Sequence, residues 1–186
     1  MQQEVPLSIG RPLRILLAVQ KAILVVCSLI LAFVFFVVVI LRYGFQADLF
    51  AYEEWVLMFA FWLYFIGGAQ GSFENTHIKA DFINAWVKSA RIKWVIGIVT
   101  LGLETLVGAV LSYWGFLMVL EDAAQYPNWP ATVAWKIPFV VPRFGIFLGL
   151  TLMTLFTALH LYMRVKRGPS PQAESADDPR DKGEGI

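Results

Sequence analysis

The stretch AILVVCSLILAFVFFVVVIL, residues 22–41, decides the fold class of this 186-residue chain. Its 20 residues carry no charge. A helix that rises about 1.5 Å per residue needs about 20 apolar residues to cross the hydrocarbon core of a bilayer. A strand exposed to lipid would leave backbone N–H and C=O groups unpaired, whereas a helix pairs them internally. The stretch therefore predicts a transmembrane helix.

Three further runs have the same character, and only one of them contains a charged residue near its middle. They cover Trp55–Phe73, Trp94–Leu120 and Phe144–Met163. The sequence therefore predicts an all-α membrane protein, with four transmembrane helices in one domain over residues 1–167. Residues 168–186 combine prolines with many charges, which predicts a disordered cytoplasmic tail.

The overall composition agrees with a membrane protein. Hydrophobic residues make up 58% of the chain and charged residues 16%, below the roughly 25% typical of soluble domains. The net charge of +1 gives no general attraction to nucleic acid. We therefore expect the lipid bilayer as a partner and no nucleic acid.

The positions of the basic residues predict the orientation of the chain. Twelve of the 15 lysines and arginines fall in the N-terminal segment, between the second and third runs, or at the C-terminal end. Basic residues in short loops favour the cytoplasmic side, and four crossings put these three segments on one side. Both termini should therefore be cytoplasmic. The outer side keeps only Arg42, Lys136 and Arg143, beside several acidic residues.

The connection over residues 77–94 has a periodicity of its own. Ile78, Phe82 and Trp86 recur every four residues among several cations. The pattern predicts an amphipathic helix on the cytoplasmic surface, with aromatic groups in the interface and cations beside the headgroups.

His77 and Asp81 stand four residues apart and would share one face of that helix. A local capping contact or an i,i+4 contact at the membrane surface explains them. A metal site would need more ligands, so we expect no metal.

The second run carries an aromatic face and then a patch of small residues. Trp55 and Trp62 belong to a set at helical spacing that begins at Tyr52. Gly67 and Gly71 give a GxxxG spacing, which lets helices approach closely. These four residues are candidate contacts with a partner subunit; packing within the chain's own bundle is the alternative.

Charged residues bracket the first outer loop. Arg42 precedes it, and Glu53 and Glu54 follow it. A short loop would bring Arg42 close to the glutamates, which makes an ion pair plausible, and acidic residues also favour the N-terminus of a helix. Either these residues are a solvated loop and helix start, or they form a docking surface for another protein.

Glu104 is the one acidic residue at helix depth. A carboxylate near the bilayer midplane is costly and marks a partner or a function. Three hypotheses remain open: Glu104 is neutral or paired within the chain, for example with Lys21; it meets a polar group on another subunit; or it binds a coupling ion or a proton.

Catalytic and cofactor chemistry is poorly represented in the sequence. Only His77 and His160 are available as haem ligands, and neither is placed at depth within a helix. Cys27 is the single cysteine, and no phosphate-binding loop or nucleophile–base arrangement is evident. We therefore expect no enzyme, no catalytic residue and no cofactor.

Several short motifs occur in an order typical of one family. They are Arg42-Tyr43-x-Phe45, Glu53-Glu54, Trp62, Gly67-Gly68-Ala69, His77-Ile78-x-x-Asp81 and Pro138-x-x-x-Pro142-x-x-Gly145. Together they resemble the small membrane subunit of tripartite ATP-independent periplasmic (TRAP) transporters, the DctQ-like family.

The resemblance implies a partner set and a location. In TRAP systems a periplasmic binding protein captures a small solute, usually a carboxylate. A large membrane subunit then carries it across the bacterial inner membrane, driven by an ion gradient. The small subunit forms a heterodimer with the large one and supports its fixed scaffold. Two rivals are a self-sufficient small transporter that uses Glu104 and a membrane anchor of an electron-transfer complex.

Overall fold

The computed structural model describes residues 10–74 and 90–168, and four long helices account for most of them. They are α1 (Gly10–Gly44), α2 (Tyr52–Glu74), α3 (Ala90–Ala124) and α4 (Val140–Arg167). Each is long and apolar enough to span a membrane. The described residues form no named strand, only an isolated bridge in the loop before α4. The prediction of an all-α protein with four spanning helices is confirmed.

The helices pack as a row in the order α1, α2, α4, α3. Extensive contacts join α1 to α2, α2 to α4, and α4 to α3. The two outer helices, α1 and α3, are therefore packed mainly on one side. No residue in the most apolar window of α3 is buried within the chain. Large apolar side chains exposed along these helices suit lipid or a partner helix rather than water.

The buried core is small and lies at the junction of α2 with α4. It consists of Ile66, Ala69, Leu152 and Phe156, and leucines from the first half of α1 pack against it. The rings of Phe73 and Phe156 meet edge to face with centroids 5.3 Å apart, a geometry favoured by the aromatic quadrupole.

Glycine permits the closest approach of α2 and α4. A Cβ added at Gly149 would lie 2.6 Å from the Cβ of Phe65 and 2.7 Å from its carbonyl carbon. Such distances cannot be accommodated without moving a helix backbone. In lipid, helix association rests on this kind of close packing, because burying apolar surface gains little there.

The ends of α4 follow from its sequence. Pro142 is buried in the first turn, where its missing N–H is not needed for the helical ladder. The helix ends at Arg167 and is followed by Gly168, whose φ of 68° favours glycine. Arg164, Lys166 and Arg167 occupy the last turn and complement the helix dipole.

Some of the predicted elements lie outside the described residues. These are His77, Asp81, Trp86 and all of the tail except Gly168. Of the predicted surface helix over residues 77–94, only residues 90–94 are described, and they form the first turn of α3. The surface helix therefore stays a prediction.

Candidate functional site

The loop between α3 and α4, residues 125–139, is fixed to the start of α2 by Glu54. One carboxylate oxygen accepts a hydrogen bond from the backbone N–H of Ala134 and the other from that of Trp135, both at 2.9 Å. Hydrogen bonds to a charged acceptor are stronger than neutral ones. Glu54 therefore acts as an anchor for a loop that follows it by 80 residues.

Aromatic and backbone contacts complete this loop. The rings of Trp55 and Trp135 meet edge to face with centroids 6.0 Å apart. Within the loop, the Thr132 N–H donates to Ile137 O and the Phe139 N–H to Pro130 O, both at 2.9 Å. We call residues 125–139 with the start of α2 the outer platform, after the orientation predicted from the sequence. It presents an ordered surface on which Val133 is 88% exposed.

Arg42 pairs with a different acid from the one anticipated. Its Nε lies 3.3 Å from Asp48 Oδ1, and both side chains are more than half exposed. The structure forms no ion pair between Arg42 and either Glu53 or Glu54; Glu54 is engaged with the loop and Glu53 is exposed. An exposed ion pair contributes only about 0–1 kcal/mol, so Arg42 can exchange Asp48 for another partner at little cost. Arg42 and Glu53 are therefore both accessible to another protein.

Trp62 is engaged within the chain. Its indole Nε1–H donates to Val141 O at 3.1 Å. The same ring covers Gly145, where an added Cβ would lie 3.0 Å from indole atoms. Trp62 and Gly145, which belong to separate motifs in the sequence, thus meet at a contact between α2 and α4.

The small-residue patch of α2 also faces neighbouring helices of the same chain. A Cβ at Gly67 would approach Leu24 of α1 at 3.6 Å, and Gly68 packs against Met153 of α4. Gly71 is half-buried in the next turn. For Gly67, packing within the bundle is therefore the contact that the structure provides.

Glu104 lies on the exposed side of α3, in a groove between α3 and α4. Neither of the two ion pairs found among the described residues involves Glu104, so it is not paired with Lys21. A charged side chain at the centre of a spanning helix costs about 3 kcal/mol on insertion scales. The carboxylate therefore needs a proton or a partner from outside the described part of the chain.

Sequence reasoning missed a buried ion pair between the facing ends of α3 and α4. Arg143 Nη1 contacts Asp122 Oδ1, and the Asp122 side chain is 1% exposed. The guanidinium also lies over the Phe139 ring, 5.8 Å from its centroid. The signal was available in the sequence, because Asp122 and Arg143 flank the outer loop at the ends of two apolar runs.

A second missed contact closes the opposite ends of the same helices. Arg164 Nη2 donates to Lys93 O at 3.1 Å, and Trp94 Nε1 donates to Arg164 O at 3.2 Å. Gly97 leaves room for the Arg164 guanidinium. On the same side, His160 Nε2 is hydrogen bonded to Phe73 O at 3.1 Å. Basic residues predicted to mark the cytoplasmic side thus also join α3 to α4.

Metal-binding chemistry finds no support in the part of the chain that the structure describes. No group of three or more His, Cys, Asp or Glu side chains is assembled there. The geometry provides structural features instead: a loop anchored to α2, contacts that join both ends of α3 to α4, and, in an exposed groove, a carboxylate without a partner among the described residues. Together with four helices long and apolar enough to span a membrane, they define the class as an all-α membrane protein.

Comparison with known families identifies the family of this chain. Residues 31–167 match the model of the DctQ component of tripartite ATP-independent periplasmic transporters. The match covers most of the chain, and the chain belongs to this family: it is the small membrane subunit of a TRAP transporter. A search of curated proteins gives no match.

Proposed function

We propose that this chain is a non-catalytic brace for the large, ion-coupled TRAP subunit. The two subunits form a heterodimer in the bacterial inner membrane. A periplasmic binding protein delivers a small solute that bears a carboxylate. The small subunit keeps the stationary part of the large one upright while the transporting part moves.

The observation that carries this proposal is the row of helices with two unpacked edges. A self-sufficient carrier needs a polar path enclosed by its helices. In the described residues, Glu104 is the acidic side chain near the middle of a spanning helix, and it is exposed, whereas the buried Asp122 is paired at the end of α3. Exposed apolar faces on α1 and α3 offer area to a large partner. This arrangement favours a supporting role over the self-sufficient transporter.

The proposed orientation rests on the hydrogen bonds that group the helix ends and on the positions of the basic residues. Hydrogen bonds place the end of α2, the start of α3 and the end of α4 at one end of the row. The start of α2 and the loop before α4 meet at the other end. Since the first end carries most of the basic residues, the positive-inside rule favours a cytoplasmic position for it and for both termini. The outer platform then faces the periplasm.

The outer platform is the proposed docking surface for the binding protein. Its backbone is fixed by Glu54, so its shape is set before a partner arrives. Arg42 and Glu53 lie exposed beside it and provide charges of both signs. Such charges steer association and fix register more than they add affinity.

Two measurements test the proposed function. The tagged chain is co-expressed with its cognate large subunit, and we expect a stable one-to-one complex after membrane extraction. The chain is also reconstituted alone in liposomes, where we expect no solute or proton flux. Flux through the isolated chain would support the self-sufficient transporter, and failure of the large subunit to co-purify would contradict the brace.

A further inference from the structure

An open groove lies between α3 and α4. Its volume is about 460 Å³, and residues from both helices and the end of α2 line it. Most of its surface is apolar. We call it the α3–α4 groove; the residues that line it include Glu104, Val107, Leu111, Leu150, Thr154 and Thr157.

Glu104 lies close to the middle of the spanning helix α3. It stands three residues from the centre of α3, Ala90–Ala124, which corresponds to about 4.5 Å along the helix axis. Its neighbours Leu103, Leu106 and Val107 are half or more exposed. The carboxylate therefore sits among side chains that face hydrocarbon, too deep for a lipid headgroup to reach without distortion of the bilayer.

The hydroxyl groups of the groove donate their hydrogen bonds elsewhere. Thr154 Oγ1 donates to Leu150 O at 2.8 Å and lies 3.1 Å from Ser112 Oγ. Thr157 Oγ1 is hydrogen bonded to Met153 O at 3.1 Å. Within residues 10–74 and 90–168, Glu104 is left without a hydrogen-bonding or ionic partner, although the groove around it is otherwise satisfied.

We propose that one transmembrane helix of the large TRAP subunit lies in the α3–α4 groove and presents a lysine or arginine to Glu104. This inference rests on the proposed function and adds the surface and the chemistry of the contact. A cation satisfies the carboxylate, and the attraction is strong where water is absent. An acyl chain would fill the groove but would not neutralise the charge of the Glu104 carboxylate.

The close packing between α3 and α4 forms the floor of the groove and leaves its mouth open. Gly108 lies directly against Thr154, and Gly115 against Phe147, so the two helices approach each other behind the groove. Their side chains then form the walls on either side. Glu104 stands on the α3 wall, within reach of a side chain on an inserted helix.

Photocrosslinking identifies the occupant. A photoreactive amino acid is placed at Val107 or Leu111 in the groove, with Leu106 as the matched control. All three are about half exposed or more, but helical geometry turns Leu106 to another face of α3. In the co-expressed complex we expect groove positions to crosslink to the large subunit, at a segment with Lys or Arg within one turn, and Leu106 at least tenfold less.

Other crosslinks would overturn the inference. Crosslinks to phospholipid alone, to a second copy of this chain, or to a large-subunit segment without a cation would each do so. If the wild-type complex forms but groove positions do not crosslink to the large subunit, the inference fails while the proposed function stands. If no wild-type complex forms, both fail.

Substitution of Glu104 tests the charge itself. We expect Glu104→Lys to reduce recovery of the complex at least tenfold and Glu104→Gln to reduce it less. Glu121→Gln, an exposed acid on the same helix near its outer end, should leave recovery unchanged. Monodisperse, helical protein from each variant separates lost association from lost folding. Unchanged recovery with Glu104→Lys would contradict a cationic partner.

Discussion

Asp122 and Arg143 join the end of α3 to the start of α4, with the aspartate enclosed and the arginine 37% exposed. This difference in burial determines how much the free energy of unfolding falls when either residue is substituted. A buried carboxylate that loses its cation is left uncompensated, whereas a partly exposed guanidinium can turn to water. The ends of α3 and α4 beside their connecting loop are therefore held together by a pair whose two members are not equivalent.

Arg143→Gln should destabilise the protein more than Asp122→Asn. We expect about 3 kcal/mol for the first, from the uncompensated charge of Asp122, and about 1 kcal/mol for the second, because asparagine still accepts a hydrogen bond. Thermal unfolding in detergent measures both. Arg42→Gln, which breaks the exposed pair with Asp48, should cost less than 1 kcal/mol. Equal effects of the three substitutions would contradict the assigned burial.

Glu54→Ala should release the outer platform from α2. The amides of Ala134 and Trp135 lose their shared acceptor, so hydrogen exchange at both should become faster while exchange in α4 stays slow. Glu53→Ala removes the exposed neighbouring acid and is the control. Unchanged protection at Ala134 in the Glu54 variant would show that the loop is held by other contacts.

Gly149→Ala should weaken the contact between α2 and α4. Its Cβ would collide with Phe65, and overpacking of this kind costs about 1–3 kcal/mol. Gly102→Ala adds the same methyl group on α3 with nothing within 4 Å. We expect a lower unfolding temperature for the first and no decrease for the second. Equal unfolding temperatures for the two variants would contradict the close contact between α2 and α4 at Gly149.

Cysteine labelling should locate the outer platform. Val133 is 88% exposed, so Val133→Cys should react with an impermeant maleimide in intact spheroplasts. Arg167→Cys at the end of α4 should react only after the membrane is opened. Native Cys27 is buried and provides a low background. The reverse labelling pattern would place the termini outside and contradict the proposed orientation.

The four helices were predictable because spanning a bilayer imposes a length of apolar sequence that no other element requires. Their order in the row was not. In a membrane, side chains that face lipid and side chains that face another helix are both apolar, so α1 and α3 could not be recognised as edges from composition. Only the small residues of α2, such as Gly67, were recognised from the sequence as a place where helices could approach, and Gly67 does lie against Leu24 of α1.

The polar contacts were not predicted with their correct partners, whether the partner is near in the sequence or far. An ion pair between Arg42 and the glutamates was considered plausible from the sequence, but in the structure Arg42 pairs with Asp48. Glu54 engages a loop 80 residues away, and nothing in the local sequence identifies such a partner. Glu104 was identified because a charge at membrane depth stands out in sequence, although its exposure required the structure.

The role of the chain as a brace is tested most directly by the transport rate of the large subunit in its absence. Proteoliposomes are prepared with equal amounts of inserted large subunit, with and without this chain, and solute uptake is measured with the binding protein and an ion gradient. We expect uptake to fall at least tenfold without the chain and to return when the purified chain is added during reconstitution. Full uptake by the large subunit alone would contradict the account.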